Sequence, residues 1–134
     1  MAERRKTEAI PRPTDAELAI LCVLWERGPS TVRDVHAALS TSQASGYTTV
    51  LKLLQIMTDK GLVVRDEAQR AHVYAARLSE RRTQHQLLGD LADRAFGGSS
   101  VKLALEALAG RRATPDELRD IRALLDRIEE GDPT

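Results

Sequence analysis

The sequence predicts a mainly α-helical chain with one small β-hairpin, in which three helices and the hairpin are followed by three more helices. Apolar residues recur at three- and four-residue spacing in several segments, as in helices with one buried side. Residues 62–75 instead combine β-prone residues with a polar turn. Two capping boxes, Thr14–Glu17 and Thr114–Glu117, mark the beginnings of the first and last helices.

The composition is typical of a soluble globular protein. Of 134 residues, 42% are hydrophobic and 30% are charged, and no apolar run approaches the roughly 18 residues of a membrane span. The basic N-terminus is not followed by an apolar segment, so we expect a cytoplasmic location without membrane insertion. The net charge is zero, so a chain of this kind that binds DNA must concentrate its cations on one face and double them by dimerising.

Residues 1–13 are charged, contain two prolines and lack periodicity, which indicates a flexible arm. This arm carries four cations that either contact DNA or form a solvated tail: Arg4, Arg5, Lys6 and Arg12. The first helix begins at the Thr14 capping box and ends at Gly28. Its predicted buried stripe consists of Leu18, Leu21, Cys22 and Trp25. Cys22 is the only cysteine and is expected to pack in the core, so a disulfide within the chain and a multi-cysteine metal site are excluded.

Ser30 or Thr31 can cap a short second helix, and the loop at residues 40–46 precedes a third. The second helix presents an apolar side made of Val32, Val35 and Leu39, whereas Arg33, Asp34 and His36 point away. At 100° per residue, the third helix carries a narrow polar band made of Thr48, Lys52, Gln55 and Asp59, with Thr49 beside it. Its opposite side is apolar and consists of Val50, Leu53, Leu54 and Met57. The polar band can therefore face a groove of DNA.

Two β-prone segments, 62–65 and 71–75, are separated by the polar turn 66–70. An isolated hairpin is only marginally stable, so we expect it to pack on the three helices through Leu62, Val64 and Val73. Three helices followed by a hairpin predict a winged helix-turn-helix domain at residues 14–78.

The C-terminal helices predict a dimerisation domain at residues 79–131. Ser79 caps a fourth helix that ends at Gly97, and Ser99 or Ser100 caps a fifth helix that Gly110 closes. The fifth and sixth helices carry apolar residues for which a partner is needed: Leu105, Leu108, Leu118, Ile121, Leu125 and Ile128. Such helices have little core of their own, so we expect pairing with the same segment of a second chain. Packing back onto the first domain as a monomer is the alternative.

The chain resembles the penicillinase-repressor family of bacterial regulators (the BlaI/MecI/CopY type) over about residues 10–130. The motifs that carry the resemblance are Thr14-Asp-Ala-Glu-Leu-Ala-Ile-Leu-Cys-Val-Leu-Trp25, Gly46-Tyr-Thr-Thr-Val50, Lys60-Gly-Leu-Val63 and Phe96-Gly-Gly98. The resemblance implies a homodimeric repressor whose winged helix-turn-helix domains bind a palindromic operator in double-stranded DNA. It also implies C-terminal helices that interlock.

By this resemblance, Thr48, Thr49 and Lys52 face the major groove, with Leu51 and Gln55 beside them. Threonine can contact phosphates or thymine methyl groups, lysine can donate to guanine, and glutamine can pair with adenine. The wing places Arg65 and Arg70 near the flanking backbone or minor groove, although solvated arginines are equally consistent with a turn. Ser30 and Thr31 lie at a helix N-terminus, where they can bind a phosphate or simply cap the helix.

Two departures from the family pattern matter for the signal that relieves repression. Copper-responsive relatives carry paired Cys-x-Cys motifs near the C-terminus, which this chain lacks, so that route of copper sensing is excluded. Antibiotic-responsive relatives are cleaved in the helix after the Gly-Gly, a step that can involve a membrane sensor protease. Glu106-Ala107 occupies the corresponding place, where an Asn-Phe pair is typical of the best-known branch.

Three other functions compete with that of a DNA-binding repressor. An enzyme is not expected because the sequence contains no H-E-x-x-H, P-loop or G-x-S-x-G motif, and no metal or other cofactor is expected. His85 with Asp90 and Asp93 does not have the spacing of a known metal site. A ligand-sensing winged-helix regulator of another family and a winged-helix protein-interaction module remain as alternatives.

Overall fold

The computed structural model describes residues 11–39 and 46–131. Within these ranges the helices are α1 (Asp15–Arg27), α2 (Val32–Leu39), α3 (Tyr47–Lys60), α4 (Glu80–Ala95), α5 (Ser100–Ala109) and α6 (Pro115–Glu129). The strands are β1 (Ser30–Thr31), β2 (Val63–Asp66) and β3 (Val73–Ala76). The chain divides into two compact units, Met1–Leu87 and Leu88–Thr134. Most of the expected arm (residues 1–10) and most of the expected loop (residues 40–45) lie outside the described residues.

The capping box at the beginning of α1 is confirmed. Thr14 Oγ1 accepts from Glu17 N at 3.2 Å, and Glu17 Oε1 accepts from Thr14 N at 2.9 Å. The predicted buried stripe of α1 is only partly confirmed: Leu21 is buried, whereas Leu18 and Trp25 are half-buried. The other buried residues, Glu17, Ile20 and Leu24, each lie one position before a predicted one. Cys22 is exposed, which corrects its assignment to the core. The buried side of α1 is displaced because Glu17 faces the core, where its carboxylate pairs with Lys60 of α3.

The core of the first unit forms where α1, α2 and α3 meet. The predicted inner side of α2 is confirmed, since Val32, Val35 and Leu39 are all buried. In α3 the fully buried residues are Val50, Leu54 and Met57, and Leu53 packs against the same cluster while half-buried. This core therefore fixes which side of α3 is left for solvent.

The predicted hairpin is present, and a third strand joins it. β2 and β3 are antiparallel, with Arg65 opposite Tyr74, and β1 pairs with the other edge of β3. Leu62 is buried as expected, but Val64 is 51% exposed and its neighbour Val63 is buried instead. In a strand, a one-residue error moves every side chain to the opposite face. Three helices with this small sheet form the predicted winged helix-turn-helix.

The caps predicted in the C-terminal region are confirmed. The hydroxyls of Ser79, Ser99 and Thr114 accept from backbone N–H groups three residues along the chain, at 3.0–3.1 Å. Gly97 and Gly98 have φ values of 60° and 83°, which glycine adopts without strain, and they end the first of these helices. Helices α5 and α6 bury none of their residues within this chain.

Candidate nucleic-acid interface

The polar side of α3 is exposed along the length that the sequence predicts. Thr48, Thr49, Lys52 and Gln55 are all exposed, and so is Asp59 at the far end. The helix begins after Gly46, which has no side chain to cap the N–H groups of the first turn.

Apolar residues border this polar side on both edges. Leu51 is half-buried and packs against the core, so only part of its side chain is accessible. Ile56 is 42% exposed and lies next to Thr49 and Lys52 around the helix. An exposed isoleucine at this place can contact the methyl group of thymine. The sequence reasoning missed Ile56, although the same helical projection places it there.

An open cleft of about 510 Å³ lies between the N-terminal turns of α2 and α3 and the wing. Three of its lining residues belong to the predicted DNA-binding set: Thr31, Leu51 and Arg70. The other six lining residues were not predicted to bind DNA, and among them Arg33, Tyr47 and His72 carry exposed polar side chains. Arg33 and Tyr47 lie near helix starts, a signal that was available in the sequence. The place of His72 depends on the hairpin and was not readable from spacing.

The side chains of Ser30 and Thr31 both have partners within the protein. Thr31 Oγ1 accepts from Asp34 N at 3.1 Å, and Thr31 N donates to Asp34 Oδ2 at 3.2 Å, so Thr31 caps α2. Ser30 is 4% exposed, and its hydroxyl donates to Gly28 O at 2.8 Å. Ser30 therefore has a structural position under the surface, while Thr31 lies at the cleft.

The two predicted wing arginines differ in their surroundings. Arg65 forms a 2.7 Å ion pair with Glu67, and its pKa is raised first by a side-chain hydrogen bond with Tyr74 and then by the charge of Glu67. Within the described part of the chain, no ion pair involves Arg70, which lines the cleft. Tyr74 is 1% exposed, so it packs in the core. Arg70 is accordingly the more available cation of the wing.

An aromatic contact fixes the beginning of α3. The rings of His36 and Tyr47 meet edge to face, with centroids 5.9 Å apart. His36 is half-buried, which corrects the expectation that it points away from the protein. Edge-to-face contacts of this kind stabilise a defined ring geometry. The contact joins the two helices of the helix-turn-helix on the side where the cleft opens.

The remaining predicted residues lie apart from this surface. Glu106 and Ala107 are exposed within α5, and the apolar residues expected at a dimer interface lie on α5 and α6 of the second unit. Desolvation, followed by the charges of Glu80 and Glu26, raises the pKa of the Cys22 thiol, which disfavours the reactive thiolate. Among the residues that the structure describes, no cluster of three metal-binding side chains occurs. No helix in the same ranges is long and apolar enough to cross a membrane.

Comparison with known proteins gives consistent matches along the chain. The family model described as penicillinase repressor matches residues 13–127. Two proteins named transcriptional regulator BlaI, from Mycobacterium tuberculosis strains CDC 1551 / Oshkosh and ATCC 25618 / H37Rv, are each 35% identical over 123 residues. These alignments cover 91% of this chain and 88% of each relative.

Two solution structures also match. One is the Bacillus licheniformis BlaI monomeric form in complex with the blaP half-operator, and the other is the DNA-binding domain of the repressor BlaI. Each is 27% identical, covers 53% of this chain and 87% of its own, and has a TM-score of 0.48.

Proposed function

The chain belongs to the penicillinase repressor family, and from this premise we propose that it is a sequence-specific DNA-binding transcriptional repressor rather than an enzyme. Its partner is double-stranded operator DNA, and its place of action is the cytoplasm. The observation that carries this proposal is the exposed polar side of α3, which continues at its N-terminal end into the cleft beside the wing. A helix and a wing that lie side by side provide one element that contacts base edges, the helix, and another that contacts the DNA backbone, the wing.

Each side chain on this surface has a defined task in the proposal. Lys52 donates to guanine O6 and N7 or to a phosphate, and Gln55 pairs with adenine. Thr48 and Thr49 contact phosphates or thymine methyl groups, and Leu51 and Ile56 add apolar contacts at the two edges of the polar side. Asp59 repels phosphate, so base contacts are confined to the first three turns of the helix.

Phosphate contacts come mainly from the cleft. Arg33, Arg70 and His72 line it together with Tyr47, the first residue of α3. Together these residues offer positive charge and protein N–H donors at one place, and both kinds of group bind the phosphates of a DNA backbone. Arg65 contributes only after its ion pair with Glu67 rearranges.

The repressor acts as a homodimer in this proposal. The exposed apolar residues on the fifth and sixth helices support it, since they remain 39–68% exposed in the single chain: Val101, Leu105, Leu108, Leu118, Leu124, Leu125 and Ile128. A symmetric dimer covers the same residues on both copies and places two reading helices on an inverted repeat. Because the net charge of one chain is zero, the second copy also doubles the local positive surface.

Release from DNA follows disruption of the C-terminal unit, and Glu106–Ala107 is the proposed cleavage position for a sensor protease. Both residues are exposed but helical. Proteases bind substrate segments in extended form, so the helix has to unwind locally before cleavage. A cut there separates α6 from the DNA-binding unit and removes the gain in affinity that two linked domains provide.

Binding to the DNA upstream of its own gene tests the proposed function. Fluorescence anisotropy compares a labelled duplex from that region with a shuffled duplex of equal composition, over a range of salt concentrations. We expect the upstream duplex to bind at least about a hundredfold more tightly at moderate salt, within the range of specific recognition. Equal affinity for both duplexes at every salt concentration would contradict the proposal.

Lys52→Ala tests the assignment of the reading helix. We expect affinity to fall by about 1–3 kcal/mol if Lys52 reads a base, with a smaller preference for the upstream duplex. Lys102→Ala is the matched control, because it removes the same charge from an exposed position on α5. Equal effects of the two substitutions would remove Lys52 from the reading set.

A further inference from the structure

A buried ion pair joins α1 to the last residue of α3. The Nζ atom of Lys60 donates to Glu17 Oε1 at 3.0 Å and to Oε2 at 2.9 Å. Glu17 is 2% exposed, and the side chain of Lys60 is 29% exposed. Neither residue belongs to the exposed polar side of α3, and the pair is not needed to explain DNA contact.

The first turn of α1 holds the carboxylate of Glu17 in place. Glu17 Oε1 also accepts from Thr14 N at 2.9 Å, while Glu17 N donates to Thr14 Oγ1 at 3.2 Å. Glutamate at this position of a capping box has little freedom to follow a moving partner. The carboxylate therefore acts as a fixed point to which Lys60 is attached.

Lys60 lies where the reading helix passes into the wing. Gly61 follows it with φ of 86°, and a Cβ atom there would come within 3.1 Å of Arg77 Nη1. Leu62 N donates to Met57 O at 2.9 Å, and strand β2 begins at the next residue. The ion pair therefore acts on the junction that connects α3 to the wing.

The pair supplies direction that the apolar core lacks. Contacts among Val50, Leu54, Met57 and their neighbours are non-directional, so they tolerate small rotations and shifts of α3 along its axis. Two hydrogen bonds from one ammonium group to one fixed carboxylate define the distance and the rotation of the end of the helix. Buried ion pairs often add little net stability compared with apolar residues of equal size, so a gain in stability does not account for this one.

We propose that Glu17 and Lys60 are positioning residues for operator recognition. Their ion pair sets the axial position and rotation of α3 against α1 and the wing, and it thereby determines discrimination between DNA sequences. Lys60 is held by Glu17 and does not neutralise a DNA phosphate. This inference rests on the proposed DNA-binding function and deepens it.

The double variant Glu17→Gln with Lys60→Met tests the inference in the full chain. Glutamine preserves the capping box, and methionine provides an unbranched, uncharged side chain one atom shorter than lysine, so the pair is removed while the cap remains. The upstream and shuffled duplexes are used as for the wild type. We expect the preference for the upstream duplex to fall by about tenfold or more, with the affinity for the shuffled duplex and the salt slope unchanged.

Two results would overturn the inference. An upstream preference within about twofold of the wild type would show that the pair does not position the helix. A salt slope reduced by about one unit would show that Lys60 contacts a phosphate, as expected for a phosphate-binding lysine. The proposed function fails separately, if the wild type itself shows no preference between the duplexes.

Two single variants complete the design. Lys60→Arg keeps a cation that can pair with Glu17 but presents it in a planar fork of different geometry. We therefore expect a loss of upstream preference that lies between those of the wild type and the double variant. If the double variant does not fold in a thermal unfolding experiment, Glu17→Gln alone decides. The Glu17→Gln variant keeps the cap and a weaker hydrogen bond to Lys60, so we expect its preference for the upstream duplex to fall by about threefold. An upstream preference equal to that of the wild type overturns the inference.

Discussion

Replacing two apolar residues of α6 should dissociate the proposed dimer. Leu125 and Ile128 are 53% and 57% exposed in the single chain, and both belong to the stripe that the sequence assigned to dimerisation. The perturbation is the double substitution Leu125→Gln with Ile128→Gln. Glutamine retains good helix propensity, so α6 itself should remain helical while its apolar side is interrupted.

The size of the effect follows from the area that remains exposed. Full burial of a leucine or isoleucine side chain contributes about 1.5–3 kcal/mol, so a side chain that is still half exposed can gain about 1 kcal/mol. A twofold-symmetric interface contains each residue twice, which gives about 4 kcal/mol for the four side chains. The dissociation constant of the dimer should therefore rise by about a thousandfold.

Sedimentation equilibrium at micromolar concentrations measures this change. The control is Ala123→Gln with Arg127→Gln, which places the same residue type on the opposite side of α6, where both positions are exposed. We expect the control to sediment as a dimer and the Leu125/Ile128 variant as a monomer. A variant that remains dimeric, with a dissociation constant within about tenfold of the control, would refute the assignment of this stripe to the interface.

Three further predictions concern the stability of the first unit. Lys60→Met leaves Glu17 buried without its cation, so the free energy of unfolding measured in urea should fall by about 3 kcal/mol. This is the low end of the range for a broken buried ion pair, because Lys60 is partly solvated. A loss below about 1 kcal/mol contradicts this reasoning. Burial raises the pKa of Glu17, but hydrogen bonds from Lys60 and Thr14 and the charge of Lys60 outweigh it and leave the pKa below its ordinary value. The stabilisation from this ion pair is therefore complete above the unfolded-state pKa of about 4.3, and it is lost as the pH falls through the lower folded-state pKa. Glu17→Gln should therefore reduce the dependence of the free energy of unfolding on pH in the acid range. An unchanged pH dependence argues against the pair. Trp25→Phe removes the hydrogen bond from the indole to Leu78 O at 3.0 Å and should cost about 1 kcal/mol in thermal unfolding, whereas an unchanged midpoint assigns no stabilising role to that bond.

The proposed interface was only partly accessible to sequence reasoning. The exposed side of α3 follows from a 100° projection of consecutive residues, and Lys52 and Gln55 lie where that projection places them. Arg33 and His72 come together with Arg70 only because the wing folds beside α2.

The sequence by itself determined the features that depend on neighbours three or four residues away. Thr14 and Thr114 begin helices because hydroxyl and carboxylate groups within one turn satisfy the free N–H groups there. The apolar side of α2 and that of α3 were likewise readable, since each has one continuous apolar side. These effects are local, so spacing in the chain is enough to find them.

Only the tertiary structure decided which side of α1 and which face of β2 turn inward. Both segments are rich in apolar residues, so more than one orientation satisfies their pattern. Glu17 is buried because Lys60, 43 residues later, meets its carboxylate, and the two-residue strand β1 exists because β3 offers it an edge. Such choices depend on partners that are distant in the chain, and the free energy of burying a charge or pairing an edge is defined only once those partners are in place.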